Sequence, residues 1–80
     1  MKSTPRWLEE GFALYLAGEG QRISRYAMRA RLAEDEVEQR LQHPRTQEDM
    51  RTLYAEAYLM VVEMIRRHGE SRVWNKLSAS

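Results

Sequence analysis

Cysteine is absent from this 80-residue chain. That excludes a disulfide framework, a thiolate metal site and a thiol nucleophile. Long apolar runs are also missing: none approaches the roughly 18 residues that would span a bilayer. Lys2, Ser3, Thr4 and Pro5 stand where a secretory leader would have its apolar core. The expectation is therefore a soluble protein with no signal segment, no membrane-spanning segment and no membrane partner. An excess of one charge is lacking too, since 13 Lys and Arg face 12 Asp and Glu, a formal net charge of +1. So even a balance argues against a broad electrostatic footprint, and no nucleic-acid partner is expected. There is no internal repeat and no low-complexity segment. A chain of this length buries only about 60 to 65% of its unfolded surface, which predicts one domain over residues 1–80 of modest stability.

What is present is helical pattern. Thr4 and Pro5 read as a helix start, with threonine capping and proline in the first turn, and this first helix runs to about Ala17, where Gly18 and Gly20 stop it. A second helix is predicted from about Arg22 to Leu32, presenting Ile23, Tyr26, Ala27 and Ala30 on one face. A third, short and acidic, covers Glu34 to Gln42 with Val37 and Leu41 as its apolar anchors and Pro44 ending it. The fourth is the longest, about 47–68. Thr46 and Asp49 form a start like a capping box, and Gly69 ends it. Met50, Leu53, Tyr54, Ala57, Val61, Met64, Ile65 and His68 follow the 3, 4 spacing of a core-facing stripe. A last short helix from about Ser71 returns Val73, Trp74 and Leu77 to it. The fold class is thus all-α, a small compact bundle of four to five helices with the fourth at its centre. Its expected core is Trp7, Phe12, Ile23, Leu53, Tyr54, Val61, Ile65 and Trp74.

The first helix is unusual because apolar side chains lie almost all the way round it. Its polar arc holds only Arg6, Glu9 and Glu10 beside the small Ala13 and Ala17, and Gly11 offers another side to a close backbone neighbour. The segment Pro5-Arg6-Trp7-Leu8-Glu9-Glu10-Gly11-Phe12-Ala13-Leu14-Tyr15 resembles the P-x-W-L-x-E-G-x-A-x-Y segment of the gluzincin, or peptidase MA-like, metallopeptidases. The stretch from Leu53 to Tyr58, His68-Gly69 and Val73-Trp74 resembles that family's closing helices. On this resemblance the chain corresponds to the C-terminal part of the domain, Glu10 occupies the third zinc-ligand position, and zinc is the implied cofactor. In such a site one helix supplies two imidazoles and a general base through HExxH, and a second helix supplies the third ligand. No HExxH occurs in this chain. His43 and His68 are not spaced as its histidines would be. The chain alone is therefore expected to hold no catalytic residue and no cofactor, and not to be an enzyme by itself.

The plainer readings are these. Glu10 pairs with Arg6 one turn earlier, worth about 0.2 to 0.5 kcal/mol, and Glu9 faces solvent. Tyr54 and Tyr58 are core aromatics with their hydroxyls at the rim. His68 serves the end of its helix or packs, His43 is loop, and Met28, Met50, Met60 and Met64 fill gaps. Ala55, Leu59 and Val62 lie off the main stripe, which predicts a second, exposed apolar strip. Together with the over-apolar first helix it implies missing cover: an upstream peptidase half, a second copy of the chain, or another protein. Three functions follow. The first is a non-catalytic remnant or fragment of a metallopeptidase-like domain, structural or protein-binding. The second is the downstream half of an active zinc peptidase whose HExxH lies upstream. The third is a DNA-binding helix-turn-helix built on Ile23–Leu32 and Val37–Leu41. Against the last, Glu34, Asp35, Glu36 and Glu38 on the would-be recognition helix repel phosphate, although Arg22, Arg25, Arg29 and Arg31 supply a basic face before it.

Overall fold

The computed structural model describes residues 4–27 and 32–78. Five α-helices lie among them: α1, Arg6–Ala17; α2, Gly20–Ile23; α3, Glu34–Gln42; α4, Gln47–His68; and α5, Glu70–Ser78. A 3₁₀ turn, Ser24–Tyr26, continues α2. The architecture is the expected all-α bundle. Helix α4 has 22 residues, hence a length of about 33 Å at 1.5 Å per residue. That matches the longest dimension of the molecule, 31 Å, and every other element touches α4.

Helix α4 begins as its sequence predicts. The Thr46 hydroxyl accepts the Asp49 N–H at 3.0 Å, while the Asp49 carboxylate reaches back to the Arg45 N–H at 3.2 Å. It ends at Gly69, whose N–H donates to the Ile65 carbonyl at 2.8 Å. The stripe does face the core, with Leu53, Ala57 and Val61 fully buried and Tyr54, Met60, Met64 and Ile65 packed partly buried around them. The expected exposed strip on its other side is corrected: Ala55 is completely buried, and Leu59 and Val62 are half-buried. The chain after α2 runs against α4 as well, so α4 is covered on more than one side. His68 departs from the stripe and is exposed in the last turn beside Arg66 and Arg67.

Helix α1 packs on α4 through Trp7, Leu8, Gly11 and Phe12. Gly11 is what allows the close approach. A methyl group there would lie 2.7 Å from Val61 Cγ2 and 2.8 Å from the Ala57 carbonyl carbon. The end of α1 is a Schellman turn: Glu19 N–H donates to the Leu14 carbonyl and Gly18 N–H to that of Tyr15, both at 3.2 Å, with Gly18 at φ 73°. Gly20, expected to help stop the helix, instead opens α2. The start of α1 differs from expectation as well. Pro5 is the N-cap rather than the first helical residue, and no side chain at that position caps the helix. The carboxylate of Glu38 on α3 takes this role, accepting the Arg6 and Trp7 N–H groups at 2.9 Å each. A distant anion thus meets the positive end of the α1 dipole.

The predicted helix from Arg22 to Leu32 does not form as one piece. One α-helical turn passes into the 3₁₀ turn, and Ala27 is extended at φ −66°, ψ 148°. Met28, Arg29, Ala30 and Arg31 lie outside the described residues. Tyr26, placed by its spacing on one face with Ile23, is 43% exposed, and Ile23, assigned to the core, is half-buried. With a single turn available, α2 has no second turn to carry an apolar stripe inward. Helix α3 has the predicted span and is anchored by Val37 and Leu41. On α5 the core contact is Val73, fully buried, while Trp74 is 47% exposed. Trp74 lies edge-on to Phe12 at 4.8 Å between ring centroids and donates its indole N–H to Glu70 at 3.1 Å. An indole keeps its polar edge wet while its ring covers apolar surface.

Candidate functional site

The surface that the sequence singled out is the outer side of α1. At 100° per residue, Arg6, Glu9, Ala13, Leu16 and Ala17 share an arc of about 100°. All five are exposed, Leu16 by 54%. Glu10 borders this arc, half-buried, with its carboxylate 3.9 Å from the Arg6 guanidinium. Between side chains that are 49% and 36% exposed such a pair contributes little. Glu9 faces solvent, as its position predicts.

The resemblance makes Glu10 a zinc-ligand position, and its surroundings do not complete one. His43 caps the far end of α3 and His68 ends α4, both exposed. Among the described residues no three His, Cys, Asp or Glu side chains come together to hold a metal ion. The residues present therefore do not fit zinc. Glu10 is one carboxylate on an open helix face.

The other edge of α1 is aromatic. Phe12 stacks on Tyr15 with centroids 5.9 Å apart, and Glu70 receives both the Tyr15 hydroxyl, at 3.4 Å, and the Trp74 indole N–H. Glu70 thus ties α5 to α1 across an exposed rim. The helix spacing could place Tyr15 and Trp74 there, but nothing in the sequence pattern marks Glu70.

A second missed residue is Glu56, whose side chain is fully buried on α4 and accepts the Leu32 N–H at 3.3 Å. A buried carboxylate needs such donors, because desolvation otherwise disfavours it. Its only sequence signal is a charge next to a core stripe, which looks the same as a solvated one.

A third feature joins α1, α2 and α4. Leu14, Ile23 and Tyr26 line a pocket with Arg22, Arg25 and Arg51, and the Arg51 guanidinium lies over the Tyr26 ring, 5.7 Å from its centroid. Arg22 and Arg25 belong to the basic face expected from the sequence; Arg51, distant along the chain, does not. The helix pair proposed for DNA does not hold its shape here, since α2 ends after one turn. On α3, Glu34 and Asp35 are exposed, and its cation Arg40 is paired with Glu36 at 2.8 Å. No described helix is long and apolar enough to cross a membrane. Comparison of the chain with protein-family models, with curated proteins and with solved structures finds no match, so the reading of this surface rests on its residues and geometry.

Proposed function

We propose that this chain is a non-catalytic helical module, a remnant or separated portion of a zinc metallopeptidase-like domain, that works by docking another protein on the outer face of α1. One observation carries the reading. The face bearing Glu10, against which a zinc-binding helix would pack in the family it resembles, is open and carries Ala13, Leu16 and Ala17 exposed. Small and apolar residues at helical spacing let a second helix approach closely, and exposed apolar strips mark contact surfaces. Catalysis by this chain alone is disfavoured by the missing HExxH and by the isolation of Glu10.

Two measurements test this. In a zinc titration followed by amide NMR, the Glu10 amide and the His43 and His68 rings stay unshifted; saturable, stoichiometric shifts converging on Glu10 overturn the non-catalytic reading. Partner capture followed by mass spectrometry should return a defined protein that Leu16→Glu no longer retains while its circular dichroism is unchanged. Equal capture by that variant removes α1 as the docking face. The competing reading, the closing half of an active zinc peptidase, has one observation in its favour: Glu10, the ligand position the resemblance implies, borders the open face of α1 rather than being sealed in the core. Discovery of an in-frame HExxH before residue 1 in the transcript, with zinc-dependent proteolysis by the longer product, establishes that reading instead.

A further inference from the structure

The pocket between α1, α2 and α4 has two kinds of wall. Leu14, Ile23 and the Tyr26 ring are apolar; Arg22, Arg25 and Arg51 are cationic and exposed. Three arginines elsewhere are matched with acids within their own helix, Arg6 with Glu10, Arg40 with Glu36 and Arg67 with Glu63. Arg22, Arg25 and Arg51, like Arg45, Arg66 and Arg72, have no carboxylate within ion-pair distance among the described residues; what sets these three apart is that they line one pocket together. Glu19 lines the pocket, which still leaves more positive than negative charge there. Arg25 spends its Nε on the Arg22 carbonyl, at 3.4 Å, and Arg51 lies over Tyr26, so two of the guanidinium groups are held at the pocket. Planar, weakly hydrated guanidinium groups with free donors suit carboxylates.

The pocket also adjoins the open face of α1. Leu14 lies one turn after Glu10 on the same side of that helix, so a segment crossing Ala13 and Ala17 continues directly into it. We infer that the pocket receives an acidic-hydrophobic peptide segment of the docked protein, one apolar side chain seated on Leu14, Ile23 and Tyr26 with flanking carboxylates on Arg22, Arg25 and Arg51. This rests on the docking reading above and adds the partner's chemistry to it. The pocket is an open depression of about 280 Å³, space for a side chain rather than for a duplex. Charge complementarity selects the acid; the apolar wall selects the hydrophobic residue beside it.

The test uses the isotope-labelled full chain, titrated by amide NMR with a short N-acetylated peptide alternating glutamate and leucine. Saturable shifts are expected at Leu14, Ile23 and Tyr26. The combined Arg22→Gln and Arg51→Gln variant weakens binding by about threefold or more, as loss of two largely exposed charge pairs does. Arg66→Gln, some 22 Å away along α4 at 1.5 Å per residue, leaves it unchanged. A peptide with serine for leucine, or with lysine for glutamate, binds at least about tenfold more weakly. The inference is overturned by no shifts at about 1 mM peptide, by equal binding of the serine peptide, by tighter binding of a short DNA duplex, or by self-association that the arginine variant abolishes. The two readings fail separately. If Leu16→Glu releases the captured partner and the arginine variant does not, the pocket assignment alone falls. If the glutamate-leucine peptide binds at the arginines while Leu16→Glu leaves partner capture intact, only the α1 face is lost.

Discussion

Replacing Glu38 with alanine should unfasten the start of α1, although Glu38 sits more than thirty residues away in sequence. Its two oxygens each accept one N–H of that helix, from Arg6 and from Trp7, at 2.9 Å. Losing an ordinary N-cap costs about 1 kcal/mol, within a range of about 0.5 to 2. Here two donors lose a charged acceptor. A hydrogen bond to an ionised group is worth about 1.5 to 3 kcal/mol where water is excluded, but the Arg6 bond is exposed and the Trp7 bond only part-buried, so each contributes about 1 kcal/mol, the value of an ordinary hydrogen bond. The dipole contribution is already within that figure. The sum is about 2 kcal/mol for Glu38→Ala, and about half of that for Glu38→Gln, which keeps an acceptor but loses the charge.

For a domain of this size, 1 kcal/mol corresponds to about 4 to 8 °C in Tm. Thermal and urea unfolding followed by circular dichroism should therefore place Glu38→Ala about 8 to 16 °C below the parent. Hydrogen exchange adds a local readout, because the Trp7 amide should lose protection before those of α4. Thr4→Ala is the internal control. A sequence-only reading makes Thr4 the cap, whereas in the structure no side chain at the start of α1 caps it, so its cost should stay below about 0.5 kcal/mol. Equal losses from Thr4→Ala and Glu38→Ala, or a Glu38→Ala cost under about 0.5 kcal/mol, would refute a cap supplied across the fold.

Other outcomes follow from the packing. Gly11→Ala raises helix propensity by about 1 kcal/mol, yet the new methyl group meets Val61 and the Ala57 backbone, so chemical denaturation should show a net loss of about 1 to 3 kcal/mol; a gain would mean that α1 and α4 are further apart. Leu53→Ala empties a completely buried site and should cost about 2 to 5 kcal/mol, a large part of the roughly 4 to 12 available to a chain this long, read as a loss of the cooperative thermal transition. Glu56→Ala removes the acceptor of the Leu32 N–H and should cost about 1 to 3 kcal/mol in urea unfolding, with the first amide NMR changes at Leu32. Thr46→Ala removes the cap of α4 and should cost about 1 kcal/mol by the same assay.

These sites divide by how far apart their causes lie in the chain. Helix α4 was legible because each signal is local: a threonine cap with an acid three residues on, a 3, 4 stripe, and a glycine stop. Helix α3 was equally plain, its two apolar residues one turn apart and both buried. The second helix is shorter than its spacing predicts. Ile23, Tyr26, Ala27 and Ala30 have helical spacing, but spacing states only what a helix would do if one formed, and Ala27 turns extended. Trp74 and Val73 exchanged roles for a related reason. Both neighbours are apolar, only one can point inward on a helix, and the smaller fits beneath α1 and α4 while the indole lies over Phe12.

The candidate surface shows the same division. That α1 is apolar on too many sides was visible in its composition, but which side stays open depends on the partners each residue finds. Trp7, Leu8 and Phe12 go to the core, Tyr15 and Phe12 stack toward α5, and Gly11 meets α4. What remains uncovered is the arc through Ala13, Leu16 and Ala17 with Glu10 at its border. The arginine pocket is legible only in part, since Arg22 and Arg25 belong to one basic segment and Arg51 does not. Arg51 reaches Tyr26 across 25 positions of chain, and no periodicity of one segment encodes a meeting of two. Charges within one helix turn, such as Arg6 and Glu10, are the ones a sequence shows. Here they belong to the weakest class of contact, whereas the carboxylates of Glu38, Glu56 and Glu70 each bond a residue of another segment and so tie distant parts of the chain to one another.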